Sequence, residues 1–156
     1  MAASDVETDL KLLFPTSEVR RTQARTFWVA IERDALVDAV KTVREKLGIR
    51  HLTTIVGEDM RDHFLLSYVM SGAAVVVLQL KLDRDKPEVP TLARLIAGAA
   101  VYERELHDLF GIVPLGHPDL RRQGLPDDWP EGVYPLRKDA ALPKAKVAVE
   151  GGKPNA

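Results

Sequence analysis

The chain has no cysteine, which removes disulfides, thiol nucleophiles and the thiolate ligands that an iron–sulfur cluster ordinarily requires. Any cluster associated with it is expected on another chain. Long apolar runs are missing as well. The longest, counting glycine, runs from Leu95 to Tyr102, far short of the ~20 residues a spanning helix needs. The opening MAASDVETDL has no cationic region followed by an apolar stretch, so no secretory signal is expected and a cytoplasmic location follows. An excess of one charge is also lacking. The formal net charge is −1 and no basic stripe with interleaved aromatics occurs, which argues against nucleic acid as a partner. Without a P-loop, a dinucleotide fingerprint or a GxSxG elbow, nucleotide binding and hydrolase chemistry have no support.

What is present fits one soluble domain with room for extra segments: 156 residues, 46% apolar and 29% charged. Residues 25–32, RTFWVAIE, have the aromatic and β-branched content of a strand. Leu36, Val40, Val43 and Leu47 make one apolar stripe on a helix over 35–47, with Asp34 placed to cap its start and Gly48 its end. Strands are expected over 51–57, 62–70 and 73–83, the last two joined by a hairpin at Ser71-Gly72. In the third, Val76, Leu78, Leu80 and Leu82 alternate with residues that become polar. After a charged, proline-broken loop at 83–90, two helical pieces meet at Gly98, and Gly111 again suits a left-handed cap. The expected fold is α+β, a largely antiparallel sheet of about four strands with helices packed on it, followed by a long extended C-terminal arm. The expected divisions are 1–24 as an N-terminal extension, 25–111 as the α+β domain, 112–139 as the arm and 140–156 as a mobile tail.

From Gly111 onward there are seven prolines and six glycines in 46 residues, a level that argues against packed secondary structure. Nine apolar side chains, from Ile112 to Leu136, are nevertheless spread through the first 28 of them. Their burial alone does not match the entropy of ordering that much backbone. Either the arm docks on its own domain with hydrogen bonds supplying the difference, or it folds on a partner.

The densest stretch is ERELHDLFGIVPLGHPDLRR, residues 103–122. Glu103, Glu105, His107 and Asp108 invite a metal or acid–base reading, but helix geometry scatters them and no HExxH arrangement exists. Glu103–His107 and Arg104–Asp108 read instead as i,i+4 pairs. His117-Pro118-Asp119 spells the tripeptide of J-domain co-chaperones, yet it follows strands and lies in a Pro/Gly-rich arm rather than after a basic helix. Arg121, Arg122 and Arg137, with Trp129 and Tyr134, are the residue types enriched at protein–protein hot spots.

These residues resemble the 30-kilodalton subunit family of respiratory complex I, with its relatives in membrane-bound, energy-converting nickel–iron hydrogenases. The family signature reads here as Glu103-Arg104-Glu105, Asp108, Leu109-Phe110, His117 and Arg121, with GHPDLRR intact from Gly116 to Arg122. The second landmark, PLRKD, runs from Pro135 to Asp139. Gln123 stands where an aliphatic residue is usual, and Val101-Tyr102 where many members have a tryptophan. LPDDWPEGVYPLRKD, residues 125–139, looks more like hydrogenase-type members than like the corresponding subunit of respiratory complex I, the NADH:quinone oxidoreductase, which is the alternative.

The resemblance implies a non-catalytic subunit with no cofactor of its own, iron–sulfur clusters and nickel–iron being held by partner subunits. It implies a peripheral place on the cytoplasmic side of the membrane, bracing the large hydrogenase-like subunit beside the small iron–sulfur subunit, with membrane subunits reached indirectly. The interface would comprise Glu103, Arg104, Glu105, Asp108, Phe110 and Gly111 at the helix end. The turn would add Gly116, His117, Pro118, Asp119, Leu120, Arg121 and Arg122, and the arm Trp129, Tyr134, Pro135, Leu136, Arg137, Lys138 and Asp139. A stand-alone enzyme using Glu103, His107 or Asp108, and a co-chaperone using His117, Pro118 and Asp119, are the competing classes.

Overall fold

A computed structural model describes residues 3–143. The elements in chain order are α1 (Ala3–Leu13), β1 (Val19–Gln23), β2 (Thr26–Ala30), α2 (Leu36–Lys46), β3 (His51–Asp59), β4 (His63–Ser71), β5 (Val75–Asp83), β6 (Glu88–Pro90), α3 (Ala99–Phe110) and β7 (Val113–Leu115). The first five strands form one sheet in the order β1-β2-β5-β4-β3. All neighbours are antiparallel except β2 and β5, which run parallel because α2, β3 and β4 lie between them in the chain. The α+β class, the antiparallel majority and the helical cladding are as the sequence suggests.

Alternation decides which side chains face the helices. Val76, Leu78, Leu80 and Leu82 of β5 and Phe64, Leu66, Tyr68 and Met70 of β4 are all buried in one core with Leu36, Val40 and Val43 of α2. A bulge between Leu52 and Thr54 in β3 lets Leu52 and Ile55, three apart, face that same core. Gly57 continues the phase, and its missing side chain admits α3: a Cβ there would lie 2.7 Å from Leu106 Cδ2. Gly48, with φ of +67°, ends α2 as expected.

Several boundaries differ from the expected ones. Residues 1–24 are expected as an extension, yet Val6 and Leu10 of α1 enter the core and β1 adds a fifth strand beside β2. With VRRTQ for a sequence, β1 is an edge strand that exposes four of its five residues, so it carries no apolar alternation. Asp34 does not cap α2. A single 3₁₀ turn, Arg33–Ala35, leads into the helix, Ala35 N–H is taken by Glu32 O, and Asp34 pairs with Arg33. The first expected helical piece, 91–98, remains a pair of turns in which Leu95 and Ile96 N–H share Leu92 O, because Pro90 and Gly98 bracket it too closely for a helix. The charged loop contains β6, which pairs in parallel with β7 at the start of the arm. Of the expected mobile tail, residues 144–156 lie outside the described residues.

Candidate interaction site

The arm leaves α3 through Gly111, whose φ of +70° lets its N–H bond to His107 O at 2.9 Å. That position is closed from outside as well, since a Cβ there would collide with the Tyr134 ring. The chain goes out, turns and comes back to where it left. Two carboxylates on the domain, Asp108 and Asp59, hold it there, and a third, Glu103, lies beneath its first turn.

Glu103, one turn into α3, points inward and is 1% exposed. Its oxygens accept hydrogen bonds from Thr91 Oγ1 and Leu92 N, both at 2.5 Å. The His117 ring completes the group. Its Nδ1 accepts from Asp119 N at 3.0 Å, which leaves Nε2 to donate to Ala100 O at 3.2 Å, beside Glu103 Oε2 at 3.8 Å. Burial pushes the Glu103 carboxyl above its usual range, opposed by its hydrogen bonds from Thr91 and Leu92.

Asp108, also buried, accepts from the backbone N–H groups of Gln123 and Gly124 through one oxygen, both at 2.7 Å. Just beyond, Arg122 Nη1 ties off the carbonyls of Pro126 and Trp129, while Trp129 Nε1 donates to Val133 O at 2.8 Å. The loop therefore holds its shape by side-chain bonds to its own backbone.

The third carboxylate, Asp59, ends β3 on the core-facing phase. It accepts from Arg61 N at 2.7 Å, from Lys138 N at 2.8 Å and from Arg84 Nη1. Arg84 in turn donates to Asp139 at 2.5 Å. Arg84 holds the Asp59 carboxyl far below the usual carboxylate range against the opposing effect of burial, with Lys138 and Arg61 N–H adding to it. Arg137 fills the corner. It donates to Phe110 O at 2.6 Å and lies 4.5 Å from the Tyr134 ring centre and 5.1 Å from that of Phe64.

This arrangement sorts the expected interface residues into buried, half-buried and exposed ones. Glu103, Asp108, Phe110 and Gly111 are buried within the chain itself, at the base of the arm. The pairs expected at i,i+4 are not made. Glu103 and Asp108 turn toward loop backbone, which offers better donors than a solvated neighbour, and Arg104 bonds to Ala100 O. Arg104, His117, Leu120, Arg122, Trp129, Tyr134, Pro135 and Arg137 are half-buried, while Glu105, Gly116, Pro118, Asp119, Arg121, Leu136, Lys138 and Asp139 are exposed. Asp59, Arg84 and Thr91 are participants that sequence reading misses. Asp59 had one visible signal, a charge on the apolar phase of a strand after Ile55 and Gly57. All three carboxylates accept from donors of the chain itself.

The sequence profile described as "Respiratory-chain NADH dehydrogenase, 30 Kd subunit" matches residues 29–146, well over half of the chain. The chain belongs to that family. Among its relatives, the NADH-quinone oxidoreductase C protein of Moorella thermoacetica is 35% identical over 150 residues, covering 93% of this chain and 96% of that one. Formate hydrogenlyase subunit 5 of Escherichia coli is 35% identical over 119 residues, 72% of this chain. The chain spans only 21% of that longer relative. The fold recurs in a solved structure of the membrane-bound sulfane sulfur reductase, an archaeal respiratory membrane complex, with a TM-score of 0.79, 22% identity, and coverage of 88% of this chain and 84% of the other. In this 30 kDa family member Asp59 holds Lys138 of PLRKD, and Asp108 holds the two residues that follow GHPDLRR.

Proposed function

We propose that this chain is a non-catalytic subunit of a membrane-bound, ion-pumping oxidoreductase, and that its arm braces the large catalytic subunit. The observation that supports this most is the set arm: carboxylates inside a family member hold an irregular loop in one shape and leave Asp119, Arg121, Leu136 and Lys138 outward. An ordered but irregular surface is suited to one complementary partner and, being pre-organised, loses little entropy on binding. In formate hydrogenlyase subunit 5 the matched part is about a fifth of the polypeptide. There the module shares a chain with a much larger remainder, and the counterpart of that remainder is the partner we assign to the arm. Iron–sulfur clusters and nickel–iron would be held by the partners, and no helix among the described residues is long and apolar enough to cross a membrane, in keeping with a peripheral place on the cytoplasmic side.

Within this class we favour a hydrogenase-type complex, on the spacer at 125–139. The second reading, the corresponding subunit of a quinone-reducing complex, draws on the full-length match to the Moorella protein. Native co-purification from membranes, with partners identified and both activities assayed, tests the two. Hydrogen evolution with a nickel–iron large subunit supports the first, and quinone reduction without it supports the second. Recovery of the chain alone would refute both.

A further inference from the structure

The arm's loop does not close fully on the helix that anchors it. Between them lies a cavity of about 430 Å³, lined by His107 and Asp108 of α3 and by Leu125, Trp129 and Glu131 of the loop. Its size is at the low end for a ligand site. Two polar atoms on the helix side have nothing to bond. The Asp108 side chain is 4% exposed, and its Oδ2 takes the N–H groups of both Gln123 and Gly124. Oδ1 accepts no hydrogen bond and stands 3.8 Å from His107 Nδ1, beyond bonding distance. That nitrogen is itself buried without a partner. A folded chain seldom leaves such atoms unpaired, and what pairs them must be a donor, because a carboxylate oxygen only accepts.

The loop adds charge of one sign. Residues 125–133 contain Asp127, Asp128 and Glu131 and no cation. All three are exposed, and none of their carboxylates has an ion pair within the described residues. Arg122 is the one Lys or Arg in the cavity lining, and its Nη1 is turned to the carbonyls of Pro126, Asp127 and Trp129. Counting Asp108, four carboxylates stand against this one guanidinium, and the resulting field attracts a cation.

Trp129 sets the kind of cation. Its Nε1 is bound to Val133 O at 2.8 Å, which fixes the indole in the cavity wall. A guanidinium is flat, stacks on an indole and carries its donors in one plane, so it can reach Asp108 Oδ1 and, in the Nε2–H tautomer, His107 Nδ1 together. An ammonium is a compact point charge that holds its water more tightly. A metal ion is a poorer fit, since no three His, Asp or Glu side chains of the described residues stand close enough to hold one.

We propose that this cavity takes an arginine side chain of the large subunit, its guanidinium bonded to Asp108 Oδ1 and His107 Nδ1 beside Trp129. This rests on the assembly reading given above, which sets that subunit against the arm. The test is a density map of the native complex, isolated through a tag on a membrane subunit, together with Glu131→Lys in the same complex. An arginine of the large subunit is expected between Asp108 and Trp129. Glu131 is exposed, so the isolated variant should melt like wild type, yet recover the large subunit at least tenfold less well, with Glu131→Gln falling less. If Glu131→Lys alters the melt, Asp128→Lys takes its place. An apolar side chain, a lysine or water alone in the cavity overturns the proposal, as does unaltered recovery. The isolated wild-type chain reads the cavity apart from the assembly. N-acetylarginine amide should shift the NMR signals of Trp129 and Gly124 saturably, and its uncharged counterpart N-acetylcitrulline amide should not. An equal response to both, or none to either, overturns the site. A wild-type chain recovered from membranes without any large subunit would instead remove the assembly reading, a result distinct from these.

Discussion

Replacing Asp59 by Asn tests whether the arm is held by the third carboxylate. Asn keeps the shape but has a single acceptor oxygen, whereas the carboxylate serves Arg61 N, Lys138 N and Arg84. Whichever way the amide turns, its NH₂ group meets a donor. The Asp59 side chain is 1% exposed and that of Arg84 16%, so this is a pair largely removed from water, and breaking such a pair costs about 3–5 kcal/mol. Arg84 retains Asp139 at the surface, which places the expected loss at the lower end, about 3 kcal/mol. For a chain of this size that is about 6–12 °C in Tm. Acid should act the same way on the wild type. The folded carboxyl is depressed, so its contribution is present above the ordinary carboxylate pKa near ~4 and is lost as pH falls below that value. The variant should show a flatter profile there. Amide exchange at 134–139 should accelerate before that of β4 and β5. A melting midpoint equal to wild type, with those amides still protected, would refute the clasp.

Four further outcomes follow from the same contacts. Gly111→Ala should destabilise by about 2–4 kcal/mol, from the left-handed φ and the collision with Tyr134, and Tyr134→Ala should relieve part of that in the double variant, read by urea unfolding. Glu103 is raised by burial, so wild-type stability from this group is fullest at acid pH and declines as pH rises through its folded pKa; Glu103→Gln should remove that slope in melts taken between mildly acid and neutral pH. Arg121, which pairs with the exposed Asp119 at 3.0 Å, should change stability by no more than about 0.5 kcal/mol on conversion to Ala, yet weaken recovery of the complex. Arg137→Ala, by contrast, should lower the stability of the isolated chain by about 1–3 kcal/mol, because its guanidinium bonds Phe110 O and stacks on two rings.

That last pair shows where sequence and structure part. Periodicity locates α2 and strands β3 to β5 because each buries one regular face, and period is written in the residues. β1 escapes because an edge strand with two arginines has no face to bury, and β6 because three residues ending in Pro90 carry no period. The signature residues are recognisable as a group, but their task is not. A glutamate on a helix looks the same in sequence whether it meets water or, like Glu103, the backbone N–H of a loop eleven residues upstream. Contacts such as Asp59 with Lys138, 79 residues apart, leave no local trace at all. The resemblance supplies the family, and the folded chain divides its landmarks into residues buried at the base of the arm and residues left exposed.

The ends of the arm's loop stand on one turn of helix. Gln123 and Gly124 are fastened to Asp108, and Leu136 and Arg137 to the carbonyls of Leu109 and Phe110. Whatever connects them is mechanically relieved of positioning either end. Doubling the length of such a connection costs only about 0.6 kcal/mol in closure entropy. Insertion, deletion or replacement within residues 125–133 therefore leaves both anchor points in place and costs the domain below little.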